Sequence, residues 1–211
     1  MLRRLTRKSN PYAITDRIMN AYIKIILRRF RKLQDKLSIM EFDELNVLNA
    51  VDSTYEEVIK LTVEGLGKVA QKEYKWLTDD DFMFELWLSE YLEQYDETTK
   101  YQFYPEADRK RARTFEALMS CRTAADRKKE VDTALRYWTK QAKQTADDVT
   151  DAVIKKAYQD NNVKYVQWIT MHDAKVCQDC HDRDGKIYPI NSPMLQAVHY
   201  NCRCFWIPVI R

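Results

Sequence analysis

Along most of the chain apolar residues recur at steps of three and four, the period that turns one face of an α-helix inward. The first run is Ile14, Ile18, Tyr22, Ile25, Ile26, Phe30, Leu33 and Leu37. Pro11 suits its start, because a fixed φ and a missing N–H cost nothing in a first turn. Ser38-x-x-Glu41 has the form of a capping box. Behind it Leu45, Leu48, Val51, Tyr55, Val58, Ile59, Thr62, Leu66, Val69 and Tyr74 keep helical spacing. Gly65 and Gly67 interrupt this run with no turn residues around them, which predicts a kink or a close helix crossing. No strand precedes the pair and no third glycine follows, so it is not a phosphate loop.

Thr78-Asp79-Asp80-Asp81 reads as a further helix start with an acidic first turn, and needs no metal to explain it. Phe82, Met83, Leu86, Trp87, Tyr91, Leu92 and Tyr95 follow as an aromatic stripe, and 96–104 as a connection. Pro105 opens the next helix, with Ala112, Phe115, Leu118 and Met119 inward and Cys121 a small buried apolar residue near its end. Thr123 caps a long helix carrying Val131, Leu135, Trp138, Ala142, Val149, Val153 and Ala157, and Asn161-Asn162 stops it.

Beyond Asn162 the pattern changes. Residues 163–170 have strand-like density, Asp184-Gly185 is a turn signal, 194–198 suit a short helical turn, and 202–210 suit a final strand. The expected fold is therefore mainly α. A long-helix body covers residues 1–160, and a small α+β module covers 161–211.

Composition agrees: 3 Gly and 5 Pro in 211 residues leave few breakers. No apolar run approaches the ~20 residues of a membrane span. The basic N-terminus lacks the apolar core of a secretion signal, so the five cysteines are expected as thiols in a reducing compartment. The net charge of +3 hides an asymmetry. Residues 1–37 hold 11 basic and 2 acidic residues; residues 38–104 hold 5 and 16. Either the two segments face each other, or they meet charged partners. Arg28, Arg29, Arg31 and Lys32 form the densest basic cluster, a candidate contact for DNA or a partner protein.

The candidate chemistry lies in 177–204. Cys177-x2-Cys180 and His199-x2-Cys202-x-Cys204 have the donor types and spacing of a structural Zn2+ site. If 202–204 is extended, Cys202 and Cys204 point to opposite faces. Cys177, Cys180, His199 and Cys202 are then the preferred ligands, with Cys204 the alternative fourth. His181 is a weaker candidate. Free thiols and disulfides are the other readings of the same residues. A metal would stabilise a module of about fifty residues, too small for a large core.

The string from Trp168 through Asp173, Cys177, Cys180, Asp184, Gly185, His199, Asn201, Cys202, Arg203 and Cys204 resembles the C-terminal module of Mu F-like phage head morphogenesis proteins. The likeness covers about a quarter of the chain. Arg183 stands where that family usually has Leu, Tyr200 where it has Pro, and the gap from Pro193 to His199 is longer. The resemblance implies a minor head protein of the virion, assembled in the host cytoplasm. It implies partners among the portal, major capsid or scaffold proteins, contact with packaged DNA in some members, and no membrane. Within it, Asp173 and Asp184 would cap turns or accept the His199 ring proton, and Arg203 would pair with one of them or with a phosphate.

Two other function classes are weighed. A zinc deaminase needs a catalytic glutamate beside its ligands, and no Glu follows Glu130. A nuclease built on His172-Asp173 lacks a second convincing His. Enzymatic activity is not expected. Sequence-independent DNA binding through the basic helix remains compatible with an assembly role.

Overall fold

The computed structural model describes residues 2–3, 5–6, 9–81, 83–93, 103–171, 176–196, 199 and 202–209. Among them six α-helices precede and interleave with a small antiparallel sheet. The helices are α1 Ala13–Ile39, α2 Glu44–Thr78, α3 Phe84–Glu93, α4 Phe103–Met119, α5 Ala124–Asp160 and α6 Gln178–Arg183. The strands are β1 Tyr165–Ile169, β2 Ile187–Pro189 and β3 Phe205–Val209, and Pro193–Leu195 is one 3-10 turn. The protein is mainly α with a three-stranded C-terminal sheet. No helix among the described residues is long and apolar enough to cross a membrane.

Two expected helix starts are helix ends. The Ser38 hydroxyl donates back to the Asp35 carbonyl at 2.6 Å, inside the last turn of α1. The start of α2 is capped instead by Asp43, whose carboxylate accepts the Asn46 N–H at 2.9 Å. Thr78 likewise donates to the Tyr74 carbonyl at 2.9 Å and closes α2. Asp79 then takes φ 63°, the left-handed conformation that stops a helix. The three aspartates thus line a connection, where Lys75 meets Asp81 at 3.0 Å and Arg3 meets Asp79 at 3.0 Å. Thr123 does cap α5: its hydroxyl accepts the Asp126 N–H at 3.1 Å while the Asp126 carboxylate accepts the Thr123 N–H at 3.2 Å. Asn162, at φ 57°, ends that helix as expected.

Two compact units divide the chain. The first comprises Met1–Arg17, Lys68–Phe82 and Ala146–Arg211; the second comprises Ile18–Gly67 and Met83–Thr145. In the second, Met19, Tyr22, Ile26, Phe30, Leu33 and Leu37 of α1 are buried at helical spacing, with Val47, Val51, Tyr55 and Val58 of α2. Phe30, Tyr55, Trp138 and Phe103 form a chain of edge-on rings with centroids 5.9, 5.5 and 6.3 Å apart. Gly65 and Gly67 mark close approach within an unbroken α2. A methyl at Gly65 would lie 3.1 Å from the Met19 sulfur, and one at Gly67 would lie 2.9 Å from the Phe84 ring. In the aromatic stripe Leu92 is buried, but Met83 and Leu86 are exposed; Leu88, outside the stripe, is buried instead. Leu45, Leu48 and Met119, also expected inside, are exposed too. Phe82 and Tyr95 lie outside the described residues.

In the first unit the sheet order is β2-β1-β3. Trp168 pairs with Trp206 and Ile169 with Phe205, and all four are buried. The Tyr158 hydroxyl of α5 donates to the Trp206 carbonyl at 3.1 Å and anchors β3. The basic and acidic segments meet only in part. Arg29 pairs with Glu57 at 2.8 Å, whereas Arg28, Arg31 and Lys32 stay exposed.

Candidate metal centre

The C-x2-C spacing has a local cause. Cys177 is the N-cap of α6, and its sulfur accepts the Cys180 N–H at 3.4 Å. A cap and the residue three positions on lie side by side, so the two sulfurs share one end of the helix. At the other end the Asp184 carboxylate accepts the Thr170 N–H at 3.0 Å, which ties the end of α6 to the residue after β1. Gly185, at φ 78°, then donates its N–H to the Trp168 carbonyl at 2.9 Å and returns the chain to the sheet. The His199 carbonyl accepts the Cys202 N–H at 3.1 Å, which folds the second half of the motif back on itself.

These turns bring the donors together. The Cys180 sulfur lies 3.6 Å from His199 Nε2 and 3.6 Å from the Cys202 sulfur. Cys177, Cys180 and His199 form one group with donor atoms all within 4.8 Å; Cys180, Cys202 and Cys204 form another. Cys180 belongs to both. Cys180, Cys202 and Cys204 are buried, Cys177 is half-buried and His199 is exposed. Cys202 and Cys204 do not point to opposite faces. The residues 202–204 precede β3 rather than belonging to it, so strand alternation does not govern them. None of the five cysteines is in a disulfide.

Electrostatics differ across the cluster. The Cys180 N–H beside the sulfur holds the Cys177 thiol below its ordinary range. Burial pushes Cys180 up to about 12. Its hydrogen bond with Cys202, and then burial, push Cys204 up strongly. Buried sulfurs crowded together resist ionisation unless a cation joins them. Bonds of about 2.3 Å in a tetrahedron would set sulfurs about 3.8 Å apart, close to the 3.6 Å between the Cys180 and Cys202 sulfurs. Each group of three donors is close enough to hold a metal ion. His181 is exposed and belongs to neither group. Cys121 is half-buried rather than buried, and its thiol donates to the Ala117 carbonyl at 3.2 Å. His172, Asp173, Tyr200 and Asn201 lie outside the described residues.

Arg203 has partners that the sequence did not suggest. Its guanidinium meets Asp16 at 3.0 Å and Asp147 at 3.6 Å, and stands 4.5 Å from the centre of the Tyr12 ring. Neither Asp184 nor a phosphate is needed. The single Tyr12 hydroxyl proton faces two acceptors, an Asp151 carboxylate oxygen at 2.8 Å and the Cys204 carbonyl at 3.1 Å. Burial, and then the Asp151 charge, raise this phenol well above its ordinary value; burial also raises Asp151. No spacing in the sequence marked Tyr12, Asp16, Asp147 or Asp151 as neighbours of the cluster.

No curated protein and no solved structure matches the chain. The family described as Phage Mu protein F like protein matches residues 108–207. The match runs from within α4 to within β3. It thus takes in α5 as well as the cysteine cluster, well beyond the quarter of the chain that carried the resemblance.

Proposed function

We propose, from the premise that residues 108–207 are a module of the phage Mu protein F like family, that the protein acts in phage head morphogenesis. In this reading it is a minor component of the virion head, assembled in the host cytoplasm and docked near the portal. Its other partners would be the major capsid or scaffold protein. The family match carries the head role. The 3.6 Å separations around Cys180 support a structural Zn2+ ion beside it. Cys177, Cys180, His199 and Cys202 would hold the ion, or Cys204 in place of His199; Cys180 serves in either set. An ion enclosed by protein donors leaves no position for substrate, so its role is to hold the module rather than to catalyse.

Co-expression with the portal, followed by capture of the portal and mass spectrometry of purified heads, tests the assembly role. The expected result is co-capture and a few copies per head. Absence from both sinks the role. Elemental analysis of protein purified under reducing conditions tests the metal, with one zinc per chain expected.

A second, compatible reading is contact with packaged DNA. Arg28, Arg31 and Lys32 are exposed on α1, and Lys24 and Lys36 extend the basic face at helical spacing. Arg29 is committed to Glu57 and contributes less. Such binding would be independent of sequence and would weaken steeply with salt.

A further inference from the structure

We infer that the tripeptide Cys202-Arg203-Cys204 couples metal binding to the seating of the N-terminal segment, so that holding the ion and ordering residues 12–16 stabilise each other. The inference rests on the zinc reading above and adds to it a positioning role for Arg203, Asp16 and Tyr12.

Three observations carry it. Cys202 and Cys204 bring their sulfurs to the same group as Cys180. Arg203, between them, is held by Asp16 in the first turn of α1 and by Asp147 of α5. The Cys204 carbonyl is held by the Tyr12 hydroxyl, one residue before α1 begins. The same three backbone positions therefore bind on one account to the donor cluster and on another to the start of α1. These residues lie outside any strand, so no ladder of backbone hydrogen bonds fixes them independently.

The coupling follows from linkage. An ion that fixes the conformation of 202–204 fixes the position of Arg203 and of the Cys204 carbonyl, and so lowers the cost of ordering Tyr12 and Asp16 against them. By reciprocity, contacts at Tyr12 and Asp16 hold Cys202 and Cys204 ready for the ion. Residues that orient metal ligands from outside the coordination sphere typically change affinity by about 10–100-fold when removed.

Hydrogen exchange on the full chain, zinc-loaded and after zinc removal by a chelator under reducing conditions, tests the idea. Residues 12–17 are read against 51–58 of α2 as an internal control. Zinc affinity is measured in parallel by competition with a chromophoric chelator, for the parent chain, Arg203→Met and Asp16→Asn. Asp16→Asn touches no donor and keeps the helix, so it stays informative if Arg203→Met fails to fold. Coupling predicts faster exchange at 12–17 on zinc removal with the control unchanged, and zinc binding weakened about tenfold in Asp16→Asn. Equal exchange with and without zinc, a rise shared equally by the control, or unaltered affinity in Asp16→Asn overturns the coupling and leaves the zinc site standing. A parent chain that takes up no zinc overturns the site and the coupling together.

Discussion

The Tyr12 hydroxyl and the Cys204 carbonyl are 192 residues apart in sequence and 3.1 Å apart in space. The same hydroxyl lies 2.8 Å from an Asp151 carboxylate oxygen. The Tyr12–Cys204 bond is buried, whereas Asp151 is half-buried. Tyr12→Phe should therefore cost about 1–3 kcal/mol, the penalty of leaving the buried carbonyl unpaired. Urea unfolding of the two proteins at pH 7 measures it. A loss below 0.5 kcal/mol, to within about the usual error, would mean that the hydroxyl holds nothing in place.

Glu73 is a buried carboxyl in the same unit. Its Oε1 accepts the Thr15 hydroxyl at 3.1 Å, and Thr15 lies 2.6 Å from the Thr150 hydroxyl. Burial raises it from 4.5 to about 7, against the smaller opposing effect of Thr15. The folded protein then holds this proton more tightly than the unfolded chain does. The resulting stability is fully present below pH 4.5 and is lost as the pH rises through about 7. The window corresponds to about 3 kcal/mol at most. Glu73→Gln should remove that slope. Urea midpoints at pH 5 and pH 8 check it, and parallel pH profiles in the parent and the variant would show that Glu73 does not titrate between them.

The aromatic chain in the second unit gives a graded test. Trp138 packs edge-on against Tyr55 and Phe103, and its indole N–H donates to Thr62 at 3.2 Å. Trp138→Ala should cost about 3–5 kcal/mol, because the cavity cannot collapse among rings held by three helices. Tyr55→Phe should cost much less, about 1 kcal/mol. The hydroxyl it removes lies 2.7 Å from Thr114, but Thr114 also donates to the Lys110 carbonyl and so keeps a partner. Thermal unfolding should rank the two variants in that order. A reversed order would mean that the Tyr55–Thr114 bond, not ring packing, fixes this core.

Period alone made the helices legible: Tyr22, Ile26, Phe30, Leu33 and Leu37 face inward because 3.6 residues per turn requires it, although Ile14, Ile18 and Ile25 of the same run are only half-buried. Caps were less legible. Ser38 and Thr78 have the chemistry of helix starts, yet the same hydroxyls can bond back to a carbonyl in a last turn, and here they do. That these Cys and His residues come together was readable because a helix cap and a tight turn act over three residues. The pairing of Cys202 with Cys204 was misjudged because alternation was assumed where no strand exists. The contacts of Arg203 with Asp16 and Asp147 had no local signature. They depend on which helix ends meet the cluster, and that is decided by packing over the whole first unit.

The two donor groups make the cysteines unequal, and this is the sharpest test of the proposed site. Cys180 is common to both groups, is buried, and lies 3.6 Å from one donor of each. Cys180→Ser removes a thiolate from every tetrahedral set that the five donors can form around it. Zinc should then be lost at micromolar protein, a larger effect than the ~10–100-fold that removing an outer partner costs. Cys204→Ser leaves Cys177, Cys180, His199 and Cys202, and His199→Ala leaves four cysteines. Each of these should keep one zinc per chain with weakened affinity, because the fifth donor can take the vacant position. Native mass spectrometry of the three variants in zinc-buffered solution counts the ions directly. If Cys180→Ser keeps its zinc while Cys204→Ser loses it, the ion is not centred on Cys180. If the three variants bind alike, the two groups do not form one site.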